Sequence, residues 1–182
     1  MKNLIGGLES VGIASMSKIL ITGGAGFIGS HLTDRLLKDG HKVIVVDDFS
    51  TGKEENLPKH PNLKVYRKSI LEEINCLFKG VDIVFHLAAK TRPQESIENP
   101  DLYNLVNIEG TMKILGFCKG NSVKRIVFMS SSSIYGTQTK LPISESAIPL
   151  PLSPYALTKL IGEQYCKLYE RLYGLESNYI RP

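Results

Sequence analysis

A chain of 182 residues that is 42% hydrophobic and 22% charged lies in the middle of the soluble globular range and is long enough to bury one well-packed core. Its formal charge of +4 comes from scattered Lys and Arg with no basic block, which argues against a nucleic-acid partner. Cys76, Cys118 and Cys166 are widely spaced and odd in number, so they fit reduced thiols in a cytoplasm and leave no zinc spacing; no metal is expected.

Residues 1–15 (MKNLIGGLESVGIAS) have only a superficial likeness to a secretory leader, because Glu9 interrupts the apolar part and no long apolar region follows. Met16 stands just before the first strand, so it reads as an ancestral start, with 1–17 a disordered extension and 18–182 the folded domain. An apolar strand over 19–21 opens that domain. After a glycine-rich turn, Ile28, Leu32, Leu36 and Leu37 recur at helical spacing and Gly40 stops the helix. Residues 43–46 form a continuous apolar run ending in Asp47-Asp48, which suits a strand buried on both faces of a parallel sheet.

Residues 63–65, 81–85, 125–129 and 177–180 read as further short strands, with helices near 31–39, 101–119 and 154–173. Strands alternating with helices predict an α/β fold, a doubly wound parallel sheet of six strands, since parallel neighbours need crossovers of about a dozen residues or more. The Pro/Ser-rich stretch 141–154 reads as one long loop, of the kind that often carries function. No run approaches the roughly 18 apolar residues of a membrane span, so no membrane partner is expected.

The turn after the first strand, Thr22-Gly23-Gly24-Ala25-Gly26-Phe27-Ile28-Gly29, matches Gly-x-Gly-x-x-Gly at 24, 26 and 29 and Gly-x-x-Gly-x-x-Gly at 23, 26 and 29. A side chain at Gly26 would hold a pyrophosphate away from the backbone N–H groups and the helix N-terminus, while Gly29 lets helix and strand pack closely. Ser30-His31 stands where a Walker loop needs Lys-Ser/Thr. Asp47 ends the next strand at the distance where a carboxylate meets the adenosine ribose hydroxyls, so the combination predicts a dinucleotide site. Asp47 would repel a 2′-phosphate and no Arg adjoins it in sequence, which favours NAD over NADP. Asp48 reads equally well as a secondary ribose contact or a solvated carboxylate.

Tyr155 and Lys159 share one face of a helix that Ser153-Pro154 would cap. An ammonium one turn away stabilises a phenolate, as does the positive ring of oxidised NAD, so this tyrosine can accept a proton; an ordinary surface pair has the same spacing. The run from Ser130 to Ser133 follows an apolar strand, and ligands of open α/β sheets bind outside strand carboxyl ends. One of these hydroxyls is placed to hold a reacting hydroxyl group; the others read as turn serines bonded to local backbone.

At this point the chain resembles the extended short-chain dehydrogenase/reductase family, the NAD-dependent nucleotide-sugar epimerases and dehydratases. The resemblance rests on TGGAGFIG at 22–29, VVDDFSTG at 45–52, HLAA at 86–89, Asn107-x-x-Gly110-Thr111, SSSSIYG at 130–136, SPYALTK at 153–159 and the terminal Arg181-Pro182, in family order. It implies a Rossmann fold, with Ser131 as the catalytic hydroxyl, Tyr155 as the base and Lys159 as its partner and a contact of the nicotinamide ribose. It implies cofactor contacts from Gly23, Gly26, Phe27, Ile28, Gly29, Asp47, Asp48, Ser69, Ile70, Leu87, Ala88, Ala89, Asn107 and Tyr155, with Asn107 also bracing the site. Ser69-Ile70 stands where the family has an Asp and an aliphatic residue at the adenine; Thr91 lies where some UDP-galactose epimerases place a lysine.

The dehydratases and decarboxylases of the family need a carboxylic acid just past the catalytic hydroxyl, and here Ser132 and Ser133 occupy those places. A hydroxyl is a poor general acid or base near neutral pH, so elimination is disfavoured. The resemblance is closest to the UDP-hexose and UDP-uronate 4-epimerases, in which hydride leaves C4 and returns to the opposite face with NAD as a bound catalyst. It also implies a homodimer paired through two helices per subunit, the segments 101–119 and 154–173. Family members run on past the position of Pro182 into a portion that supplies most of the nucleotide-sugar pocket and is missing here. The alternatives are therefore an NAD-binding module without turnover, or a dehydratase or reductase of the same family.

Overall fold

Residues 16–182 are described in a computed structural model of the chain. Of the extension expected at 1–17, all but Met16 and Ser17 lies outside the described residues. Six strands form one sheet: β1 Lys18–Thr22, β2 Lys42–Asp47, β3 Leu63–Arg67, β4 Ile83–His86, β5 Arg125–Met129 and β6 Glu176–Ile180. Their order is β3-β2-β1-β4-β5-β6 and every pairing is parallel, which makes the fold a Rossmann-type doubly wound sheet. The chain winds outward from β1 in both directions, so the crevice at the carboxyl ends of β1 and β4 is the topological switch point where such sheets hold ligands.

The apolar runs follow from burial on both faces. Along β1, Ile19 and Ile21 face one core with Val43, Val45, Phe85 and Val127, while Leu20 faces the other with Ile44, Val84, Ile126 and Phe128. The first core is closed by Leu36 and Leu37 of α1 (Phe27–Lys38), the second by Ile114, Leu115 and Cys118 of the central helix and Cys166 of α5 (Pro154–Tyr173). Gly40 stops α1 as expected: with φ at +86° it donates to Leu37 O at 3.0 Å, and His41 donates to Leu36 O at 3.0 Å, a paired termination that suits glycine. Ser153 caps α5 by accepting the Ala156 N–H at 3.2 Å, with Pro154 in the first turn.

Two differences from the sequence reading bear on the site. The helix expected at 101–119 is one continuous rod of α3 (Pro100–Tyr103), a π-helical turn (Asn104–Glu109) and α4 (Gly110–Gly120). Ile28 belongs to the apolar stripe of α1 by spacing, yet it is 46% exposed because it sits in the first turn, above the sheet edge. A short α2 (Pro93–Glu98) and 3₁₀ turns at Glu54–Asn56, Asn75–Phe78 and Ser132–Tyr135 were too short for periodicity to reveal. The long loop around 141–154 has no helix or strand before α5 and is tied back by Leu150 N–H to Ile134 O at 2.9 Å. Among the described residues no helix is long and apolar enough to cross a membrane.

Candidate active site

A cleft of about 390 Å³ opens at the carboxyl ends of the central strands. Its floor is the glycine loop and first turn of α1, with Gly23, Gly26, Phe27, Ile28 and Gly29. Asp47, Asp48, Ser69 and Ile70 line it beyond β2 and β3, Leu87, Ala88 and Ala89 beyond β4, and Tyr155 and Lys159 from α5. Residues distant in sequence are brought together because parallel strands deliver all their carboxyl ends to one edge.

The glycines divide into two kinds. A Cβ at Gly29 would lie 2.2 Å from Gly23 O, one at Gly23 2.7 Å from Ala88 N, and one at Gly24 2.6 Å from a Val45 methyl, so the protein's own packing demands these three. At Gly26, which caps α1, the nearest such atom is Gly23 O at 3.4 Å, an ordinary contact. Its side-chain space is not taken by the protein and faces the cleft. That is the cradle a diphosphate needs beside a helix N-terminus, so the residues present fit a dinucleotide.

Asp47 is 8% exposed and both its oxygens accept backbone hydrogen bonds, Oδ2 from Ala25 N–H at 2.9 Å and Oδ1 from Phe49 N–H at 2.8 Å. It therefore anchors the glycine loop to β2 as well as facing the cleft. Although no arginine adjoins Asp47 in sequence, Arg67 is its register partner on β3. That guanidinium lies 4.1 Å from the Phe49 ring centroid and donates to Glu54, and it does not line the cleft. Asp48 is exposed and accepts Ser50 N–H at 2.8 Å, a local turn that leaves its second oxygen to either role weighed for it. Ser69 Oγ accepts Leu71 N–H at 3.2 Å, the short-range bond expected of a turn serine.

At the other end Tyr155 is buried, its N–H donating to Ser96 Oγ at 3.0 Å and its ring meeting Tyr103 edge-on at 6.4 Å. Its phenol makes no hydrogen bond to the described residues. Lys159 is 3% exposed; Nζ donates to Met129 O at 2.7 Å and lies 5.1 Å from the Phe128 ring centroid. Burial pushes this ammonium down from 10.5 to about 8.

Asn107, in the π turn, differs from the expected cofactor contact: its amide is spent on Lys90 and Thr158, so it does not line the cleft but supports its wall. Its Oδ1 accepts Lys90 N–H at 2.8 Å, and its Nδ2 donates to Lys90 O at 3.0 Å and Thr158 Oγ1 at 3.1 Å. Thr111 Oγ1 donates to Asn107 O at 2.6 Å, so it must accept from His86 Nε2 at 3.0 Å. His86 Nδ1 then accepts from Thr22 Oγ1 at 2.7 Å, and Thr22 Oγ1 in turn accepts Ala88 N–H at 3.3 Å. Burial, with a smaller push from Lys159, lowers the imidazole to about 3 and keeps it in this neutral tautomer.

Ser131 is nearly buried and caps the Ser132–Tyr135 turn, accepting Ser133 N–H at 3.1 Å and donating to Ser133 Oγ at 3.0 Å. The serine of this run that lines the cleft is Ser130, whose Oγ donates to Glu163 Oε1 at 2.6 Å. Glu163 is fully buried and held by Arg181, Nε to Oε1 at 2.8 Å and Nη2 to Oε2 at 2.6 Å. Sequence reasoning placed Ser130 in the candidate run without singling it out, and missed Lys90 and Glu163; for Glu163 the signal was its position four residues after Lys159, one helical turn on.

A family model described as NAD-dependent epimerase/dehydratase matches residues 19–182. A putative UDP-glucose 4-epimerase of Methanocaldococcus jannaschii is 43% identical over 167 residues, covering 90% of this chain and 54% of that protein. The UDP-glucuronic acid decarboxylase 1 of Xenopus tropicalis is 37% identical over 172 residues, 90% of this chain and 40% of that one. The crystal structure of Thermus thermophilus UDP-glucose 4-epimerase in complex with NAD superposes with a TM-score of 0.85 at 36% identity, over 90% of this chain and 54% of that chain. The chain thus spans about half the length of the curated relatives it matches. With a glycine-loop cleft at the switch point of a Rossmann sheet and a family match over nearly all its described length, the chain belongs to the NAD-dependent epimerase/dehydratase family.

Proposed function

We propose that residues 18–182 form the NAD-binding half of a nucleotide-sugar 4-epimerase of the UDP-glucose/UDP-galactose type. One observation carries this reading: Gly26, Asp47, Tyr155 and Lys159 line a single cleft at the sheet's switch point. NAD, when bound, supplies the acceptor and donor for a hydride at C4 of the sugar. Gly26 and the α1 N-terminus would hold its diphosphate, and Asp47 would accept the adenosine ribose hydroxyls with the lone pairs its two backbone bonds leave. Leu87, Ala88 and Ala89 exclude water from the middle of the cleft, and Ser69 and Ile70 border the adenine.

Tyr155 takes the proton of the C4 hydroxyl and later returns it. Lys159, held by Met129 O, sets its ammonium toward that phenol and the nicotinamide ribose. Ser131 turns its hydroxyl from Ser133 toward the sugar when substrate arrives. Ser132 and Ser133 offer no carboxylic acid for elimination, which favours epimerisation over the dehydratase and decarboxylase chemistries of the family.

A second reading is an NAD-binding module without turnover. Reactant positioning can supply about 7–11 kcal/mol of a barrier, so a chain without the sugar pocket keeps its reacting groups and loses the rate. The test is interconversion of UDP-glucose and UDP-galactose by the chain alone and joined to the C-terminal portion of a relative. Turnover restored by joining supports the epimerase; NAD binding with no epimerisation of any UDP-sugar in the joined form overturns it in favour of a reductase. The three free thiols fit a reducing cytoplasm. The exposed Leu105, Met112, Leu157 and Leu168 on the central rod and α5 fit a homodimer paired through those helices.

A further inference from the structure

Three lysines line the cleft, Lys68, Lys90 and Lys159. Lys68 is ion-paired with Glu72 at 2.6 Å, and Lys159 donates to Met129 O at 2.7 Å. Lys90 is different. Its backbone is clamped on both sides by Asn107, a side chain only 2% exposed, yet its ammonium has no hydrogen-bond or ion-pair partner among the described residues. A buried amide with both ends committed to one residue fixes where that residue stands. Here it fixes a half-buried cation on the cleft wall.

Position and charge indicate what that cation meets. Ala88 N lies 2.7 Å from where a Gly23 Cβ would be, so Lys90 stands two residues beyond the point where this segment meets the glycine loop. Beyond Lys90, Asn107 also reaches Thr158, next to Lys159 on α5. The ammonium thus stems from the wall between the diphosphate cradle and Tyr155. A helix N-terminus offers only about half a positive charge, whereas a diphosphate brings two negative charges; Asp47 and Asp48 add more. A compact ammonium on a flexible stem is suited to phosphate oxygens.

We propose that Lys90 binds a phosphate group of a diphosphate ligand held in this cleft. The inference rests on the reading of the cleft as a dinucleotide and nucleotide-sugar site, and the diphosphate of either molecule has the required chemistry. The test is calorimetric titration of NAD into the unmodified chain, Lys90→Gln and Lys90→Arg at low and high salt, followed by UDP-galactose into the NAD-loaded proteins. Lys90→Gln is expected to weaken one of the two ligands by about ten- to a hundredfold and to flatten its salt dependence, while Lys90→Arg stays within about threefold.

A loss seen with NAD assigns the dinucleotide's diphosphate; a loss confined to UDP-galactose assigns that of the nucleotide sugar. If UDP-galactose does not bind the unmodified chain, the NAD titration decides alone. All three proteins should melt together, because the Lys90 ammonium makes no contact that the fold uses. Unchanged affinity and salt dependence of Lys90→Gln for both ligands overturns the proposal. Failure of the unmodified chain to bind NAD overturns the cofactor reading and this inference with it.

Discussion

Replacing Lys159 with methionine should make the chain as stable or more stable at neutral pH while removing the ammonium proposed above as the partner of Tyr155. Lys159 is 3% exposed, and burial lowers its ammonium from 10.5 to about 8. At about 1.4 kcal/mol per unit, keeping it charged at neutral pH costs the fold about 3 kcal/mol. Methionine has a similar length and no charge, but it forfeits the hydrogen bond to Met129 O at 2.7 Å, worth about 1.5–3 kcal/mol. The net expectation is a change between zero and about 2 kcal/mol in favour of the variant.

The pH dependence is sharper, because it isolates the ionisation. Between the folded value of about 8 and the unfolded 10.5 the unfolded state binds more protons, so the penalty is complete below the window and is relieved as pH rises through it. Urea unfolding of both proteins should therefore show the variant's relative stability falling by about 2–3 kcal/mol between about pH 7 and pH 10. A stability difference that does not vary with pH would refute the reasoning, as would a variant destabilised at neutral pH by more than about 1 kcal/mol.

The glycine loop offers a paired test: Gly29→Ala drives a Cβ to 2.2 Å from Gly23 O and should cost about 1–3 kcal/mol in urea unfolding. Gly26→Ala meets only Gly23 O at 3.4 Å, so it should leave stability within about 1 kcal/mol while weakening NAD in calorimetry. In a form competent for turnover, Tyr155→Phe should lower the epimerisation rate at least about a hundredfold with NAD affinity nearly unchanged. Light scattering should give a dimer mass that dissociates on dilution and shifts toward monomer in Leu105→Glu, whereas a monomer mass at every concentration removes the helix-pairing expectation.

The sheet was legible because both faces of each central strand are buried, which turns 43–46 and 125–129 into uninterrupted apolar runs. The helix ends at Gly40 and Ser153 were equally legible, since each depends on one residue type with a local backbone reason. Less visible was anything set by cross-chain contact. Asp47 signalled a ribose by its place at a strand end, but its hold on Ala25 N–H depends on how far the loop folds back. Arg67 became a neighbour of Asp47 only through strand register. The π turn leaves no mark in NLVNIE, although it is where Asn107 reaches Lys90 and Thr158. Within the run 130–133 the resemblance singled out Ser131, while Ser130 is the one of the four that lines the cleft, and no one-dimensional pattern distinguishes adjacent hydroxyls.

The central claim, that this cleft is an NAD site built around Gly26 and Asp47, is tested most directly by calorimetric titration of NAD and NADP into the unmodified chain and Asp47→Asn. The account predicts one NAD per chain, bound more tightly than NADP because the Asp47 carboxylate repels a 2′-phosphate, and a narrower gap in Asp47→Asn as NAD weakens and the repulsion is relieved. Equal affinity of the unmodified chain for the two dinucleotides, or no binding of either, would contradict it.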